Sequence, residues 1–251
     1  MNDRKVLGID VGGSGIKGAI IDTKTGKMVT DRHRIVTPSP ATPDAVADVI
    51  YQLVKHFKWK GIVGCGFPAA IRNGIACTAA NIDKTFIGTN VDKLFSSVSK
   101  CKVYTVNDAD AAGIAEMKFG AGKKQNGVVI LITVGTGIGT VIFTGRKLLP
   151  NTELGHIYLP NGQEAERFAS DAVRKNEDLD WASWTPRFNM YLEYMENLFW
   201  PDCFIIGGGI SKKEEFFRKF LTVRTPVVMA ELKNNAGMVG AAVYARMKHT
   251  K

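Results

Sequence analysis

The chain begins with two apolar runs, KVLGIDV at 5–11 and GIKGAIID at 15–22, separated by a cluster of glycines. Both read as strands, and a third is expected over about 28–36, before the turn TPSPATPD. Pro43 then stands at a helix start. Val46, Val49, Ile50, Leu53 and Val54 follow at spacings of three and four, which predicts a helix to about residue 58. GIVGCGFPAAI returns as a buried strand ending in Gly66-Phe67-Pro68, and a polar loop follows it. VDKLFSSV then reads as a short helix, KVYTVND as a strand, and Ala109 to about Phe119 as a helix closing at FGAGKKQNG.

At residue 127 the pattern restarts. GVVILITVGTGIGTVIFTG is again strand, glycine turn and strand, about 120 residues after the first. The repetition points to two related halves around a cleft. Trp184, Phe188, Tyr191, Met195, Leu198 and Phe199 recur at helical spacing and predict a helix with a core-facing aromatic stripe. DCFIIGGGIS reads as a strand and glycine turn, KKEEFFRKFL as an amphipathic helix and TPVVMA as a strand. GMVGAAVYARM closes as a helix whose small residues permit tight packing.

Composition narrows the class. The 251 residues, 45% hydrophobic and 23% charged, suit one large globular domain or two. No apolar run reaches membrane-spanning length and no signal-peptide pattern opens the chain, so a cytoplasmic protein without a membrane partner is expected. Cys65, Cys77, Cys101 and Cys203 form no C-x-x-C pair and are expected as small core fillers. The net charge of +9 is spread in ones and twos among acidic neighbours, with no nucleic-acid-binding motif. Nucleic acid is therefore not expected as a partner, although a basic field concentrates polyanions in general.

The glycine turns carry the chemistry. Gly12, Gly13 and Gly15 lack Cβ atoms, so backbone N–H groups there can approach a ligand closely. Asp10, ending the strand before them, cannot bind a phosphate directly but can hold a divalent cation that does.

The order of motifs is more specific than any one of them. Asp10-Val-Gly-Gly-Ser-Gly-Ile-Lys17 comes first, then Asn107-Asp108-Ala-Asp, Val134-Gly-Thr-Gly-Ile-Gly, Glu153-Leu-Gly-His156 and Gly207-Gly-Gly. This order resembles the sugar-kinase branch of the actin/hexokinase superfamily, specifically the ROK family (repressors, open reading frames, kinases). Within that family TAANIDKTFIGTNV, NDADAAGIAEMKFGAG, LFWPDCFIIGGGISKK and RTPVVMAELKNNAGMVGAA resemble polyphosphate glucokinases, and the likeness runs over nearly the whole chain.

The resemblance implies an α/β, two-domain actin-like ATPase (ribonuclease H-like) fold with an interdomain cleft. It places a small N-terminal domain at 1–106, with the helix at 237–251 packing back on it, and a larger domain at 107–236. It implies transfer of a phosphoryl group from inorganic polyphosphate, with ATP as a further donor, to the 6-hydroxyl of glucose, in a homodimer. A strictly ATP-dependent glucose or mannose kinase shares every motif. A ROK-type regulator would carry a helix-turn-helix domain ahead of the first strand, and that strand begins by residue 5, so an enzyme is expected.

Residue by residue, the resemblance makes Asp108 the general base, the alternative being a helix N-cap. Asn81, Asn107, Asp108, Glu153, His156 and Glu166 would bind glucose, with Gly66, Phe67 and Pro68 shaping one wall. Gly12, Gly13, Ser14 and Gly15 would face the donor, together with Gly135, Thr136 and Gly137 and with Gly207, Gly208 and Gly209. Mg²⁺ would sit near Asp10, held through water, and Lys17 either reaches the donor or points to solvent. Zinc-containing ROK proteins follow the Glu-x-Gly-His with a cysteine cluster. IYLPNGQEAERFAS has none, so no zinc is expected. A long polyphosphate needs a basic track beyond the transfer site, for which Arg72, Lys84, Lys123, Lys124, Arg146, Lys212, Lys213 and Lys233 are candidates.

Overall fold

The opening runs fold as β1 (Lys5–Gly12) and β2 (Gly15–Asp22), paired antiparallel from Lys5 opposite Asp22 to Gly12 opposite Gly15, in a computed structural model that describes residues 4–79 and 82–250. After β3 (His33–Ile35) comes α1 (Pro43–His56), which Thr42 caps by accepting from Ala45 N and Pro43 opens with a preset φ. Its buried stripe includes all five apolar residues named from the sequence. Next are β4 (Val63–Phe67), a hairpin of β5 (Ile71–Arg72) and β6 (Ile75–Ala76), α2 (Val91–Ser99), β7 (Val103–Asn107) and α3 (Asp108–Phe119).

The second half contains β8 (Val128–Val134), β9 (Ile138–Thr144), β10 (Lys147–Leu149), α4 (Ala165–Ala169), α5 (Asp171–Asn176) and α6 (Trp181–Phe199). It ends with β11 (Cys203–Gly208), α7 (Glu214–Phe217) and β12 (Val227–Met229), before the last helix, α8 (Ala236–His249). Contacts divide the chain into two units, Met1–Ala115 with Asn235–Lys251, and Glu116–Asn234.

Each unit is built on a five-stranded mixed sheet. The orders are β3-β2-β1-β4-β7 and β10-β9-β8-β11-β12. In both, a glycine-turn hairpin supplies antiparallel strands and later strands join parallel to its first strand. The internal repetition seen in the sequence is thus a repeated topology. In the first unit α8 lies on β1 and β4 because small residues let backbones meet. A Cβ on Gly64 would strike the Ala241 carbonyl, and one on Gly240 the Ala111 carbonyl.

Several expectations change. The unit boundary falls after Ala115, inside α3, and not between 106 and 107. Ala111 in the first half of α3 supports Gly240, while the buried Glu116 carboxylate accepts from Ala121, Glu231 and Leu232 N–H in the second unit. The third strand is short: Thr30 Oγ1 takes the Ile20 N–H, and Met28 makes only a lone bridge to Ile21. The polar loop holds the β5–β6 hairpin, turned by Asn73 and Gly74, both at positive φ. Residues 212–221 form the four-residue α7 between two 3₁₀ turns, anchored by a fully buried Phe217 against Trp181 and Trp184. Leu198 is exposed, although Trp184, Phe188, Tyr191 and Met195 of its stripe are buried. Cys77 is exposed and is no core filler. Among the described residues, no helix is long and apolar enough to cross a membrane.

Candidate active site

In the first unit, Asp10 lies two residues before the end of β1, with Lys17 as its cross-strand partner. Lys17 Nζ is 3.5 Å from Asp10 Oδ2. Burial pushes the Asp10 carboxyl above its ordinary range, and the charges of Lys17 and Arg32 oppose that rise. Asp10 Oδ1 also approaches the space where a Gly66 side chain would begin.

The three glycines of the β1–β2 turn serve different ends. Around Gly13 a Cβ would meet nothing, whereas at Gly15 it would collide with the Arg34 guanidinium. Gly12 and Gly13 border a cavity of about 370 Å³, with Thr37, Pro38, Pro68 and Ile82 also on its wall. Thr37 Oγ1 donates to Gly12 O at 2.5 Å, tying the following loop to the turn. Phe67 does not line this space: it is fully buried, packed on Phe86 and Phe95. Asn81 lies outside the described residues.

Asp108 is the first residue of α3, and the capping task expected as its alternative role falls to Asn107. Asn107 Oδ1 accepts from Asp110 N at 3.0 Å, and its amide nitrogen donates to Ala69 O at 3.2 Å. Both ends of the Asn107 amide are thus anchored to the scaffold, with one N–H and one lone pair left over. Asp108, half-buried, accepts from Ala109 N through Oδ1.

In the second unit the parallel strands β8 and β11 bring Gly208 opposite Val134, so the glycine turns at 135–137 and 207–209 lie side by side. Gly208 has φ of +77°, and a Cβ there would also strike Val134 backbone. Glu166 belongs to this turn: Oε2 accepts from Ile138 N at 2.8 Å, in space that a side chain at Gly137 would fill. Thr136 is exposed on the turn.

His156 ends a short 3₁₀ turn that starts after Glu153. Its Nδ1 lies 2.6 Å from Glu164 Oε1, which leaves Nε2 as the nitrogen available to a ligand. Glu164 is also paired with Arg167 Nε at 2.8 Å. The Glu164 hydrogen bond raises the His156 pKa above its usual value. Surrounding protein raises the Glu153 carboxyl, with His156 opposing and Glu166 adding to the rise. Arg146 leaves the set of candidate polyphosphate contacts. Its guanidinium donates to Met117 O at 2.6 Å and to Lys123 and Gln125 carbonyls at 3.0 Å, holding the loop after α3.

The model of the ROK family matches residues 6–171. The chain belongs to the ROK family. A polyphosphate glucokinase of Mycobacterium tuberculosis is 47% identical over 241 residues, covering 96% of this chain and 91% of that one. Among solved structures, the inorganic polyphosphate/ATP-glucomannokinase of Arthrobacter sp. strain KM superposes with a TM-score of 0.92 at 42% identity, over 98% of this chain and 99% of that one. A ROK family glucokinase of Streptomyces griseus, in complex with glucose and AMPPNP, gives 0.81 at 25% identity over 97% and 99%. The fold is accordingly the actin/hexokinase-like α/β fold of ROK sugar kinases. Two residues that contact these motifs lie outside them, Arg34 and Glu164. Their partners lie 17 and 8 positions away, at Lys17 and His156, and only register and loop folding reveal them.

Proposed function

We propose that this protein is a polyphosphate glucokinase that transfers the terminal phosphoryl group of inorganic polyphosphate, and of ATP, to the 6-hydroxyl of glucose. The observation that carries the reading is the 47% identity to a polyphosphate glucokinase over 96% of the chain. The glucose oxygen forms a bond to the terminal phosphorus as the bridging P–O bond breaks. The shortened polyphosphate or ADP leaves, and the hydroxyl proton passes to Asp108. Such base assistance contributes about 10²–10⁴-fold. Asn107 supports this role by capping α3 in place of Asp108. Glu153 and His156 recognise sugar hydroxyls, and Glu166 links sugar recognition to the Gly135–Gly137 turn through its bond to Ile138 N. The donor phosphates meet the glycine turns.

Magnesium fits the residues present. It is commonly held by one or two carboxylates, with waters and substrate phosphates completing its shell, and Asp10 provides one beside the Gly12–Gly13 turn. When bound, the ion neutralises charge on the donor phosphates. The stretch that follows Glu153-Leu-Gly-His156 contains no cysteine, which supports the reading without a structural zinc. The family resemblance further supports a cytoplasmic homodimer without nucleic-acid or membrane partners, checked by light scattering on the eluting protein. The deciding experiment is a coupled assay for glucose 6-phosphate with polyphosphate and ATP supplied separately. Turnover with ATP alone would make it the ATP-dependent kinase, and turnover with neither would refute the reading.

A further inference from the structure

Arg34 is absent from every motif, yet its position on β3 is specific. It stands opposite Lys17 of β2, which stands opposite Asp10 of β1, so the three side chains form a row on one face across three strands. Asp10 answers the charge of Lys17 at 3.5 Å. Arg34 has no carboxylate partner among the described residues. Its Nη2 instead donates to the Ser14 carbonyl, on the glycine turn itself. Arg32 brings a third cation whose field also reaches Asp10.

Two features of this row concentrate positive charge at the turn. Like charges placed directly opposite on neighbouring strands repel, and Lys17 and Arg34 are such a pair, with Asp10 on the far side of Lys17. The Arg34 guanidinium also lies over Gly15, in the space where a Cβ would begin, so the cation is seated against the turn. Beside it, Gly13 faces open space and borders the 370 Å³ cavity. A guanidinium presents several N–H groups in a fork that suits phosphate oxygens, and one bond to Ser14 leaves others for a ligand.

We propose that Arg34 binds a phosphate group of the phosphoryl donor at the β1–β2 turn, an assignment that rests on the donor reading above and extends it to a residue outside the glycine motifs. The anion relieves the Lys17–Arg34 repulsion, and because the contact is to a phosphate common to all donors, polyphosphate and ATP share it.

The test compares wild type with Arg34→Gln and Arg34→Lys. Glutamine keeps an amide donor on a shorter side chain and carries no charge, whereas lysine keeps the charge without the fork. Calorimetric titration with inorganic tripolyphosphate, without glucose, reads the site directly, and steady-state kinetics read each KM. Arg34→Gln should weaken tripolyphosphate binding and raise the KM for both donors by about tenfold or more, a size set by a charge-assisted hydrogen bond. The KM for glucose and the melting temperature should stay unchanged, and Arg34→Lys should fall between. Unchanged tripolyphosphate affinity in Arg34→Gln, an effect confined to long polyphosphate, or an equal rise in the glucose KM would overturn the assignment. Should the glutamine variant not fold, wild-type donor affinity in Arg34→Lys would overturn it as well. Wild-type protein inactive with both donors would refute the functional reading, while the tripolyphosphate titration would still decide Arg34.

Discussion

At Asp108, the motif supplies a carboxylate on a helix that its neighbour Asn107 caps. Asp108→Asn should lower kcat by about 100-fold or more with glucose affinity near normal, because it removes the base and keeps the shape. Turnover within tenfold of wild type would assign the proton elsewhere. Glu164 offers a pH-dependent test. Its bond raises the pKa of His156 in the folded state, so the charged pair contributes stability below the unfolded value of about 6.5 and loses it as pH rises through the folded value. The stability advantage of wild type over Glu164→Gln should therefore be greatest near pH 6 and shrink at higher pH to the part contributed by Arg167. His156 is about half exposed, so the pH-dependent part should be small, about a degree or two in Tm. A difference independent of pH would show that the imidazole stays neutral. Asp108 was legible because it sits in a contiguous motif. Glu164 was not, since only the fold of the 157–164 loop, closed by the Tyr158–Glu164 bridge, brings it to His156.

Among elements, the seat of α8 on the first sheet is the most constrained. Gly64→Ala would drive a methyl group into the Ala241 carbonyl, so strand and helix must separate, at a cost of about 3 kcal/mol or more given the usual range for overpacking. Gly13→Ala, which meets no atom within 4 Å, should leave denaturant stability unchanged. Equal stabilities in urea titrations would remove this account of the small residues. The helix itself was legible, as were the glycine-turn hairpins, because strong periodicity and long apolar runs dominate local choice. The pieces between 147 and 176 were not, being three to six residues long with no period to read.

For the whole molecule, charge makes the prediction. With a net charge of +9, and with Arg146 committed to the 117–125 loop, Arg72, Lys84, Lys123, Lys124, Lys212, Lys213 and Lys233 remain candidates for a track under a long polyanion. Polyanion binding releases counterions, so raising salt from about 50 to 200 mM should increase the KM for long polyphosphate several-fold more than that for ATP or short oligophosphates. Parallel salt dependences would mean that these residues are ordinary solvated charge. The sequence by itself determined the repeated strand–glycine turn–strand plan, the family and the candidate base, because these are written in contiguous runs where local sterics and hydrophobic period govern. Only the tertiary structure decided that Arg34 lies over Gly15, that Glu166 holds the second glycine turn, that Phe67 belongs to the core, and that Glu164 fixes His156. Each of these depends on strand register or on loops closing across the chain, and a pairing between distant residues leaves no periodic trace in the order of amino acids.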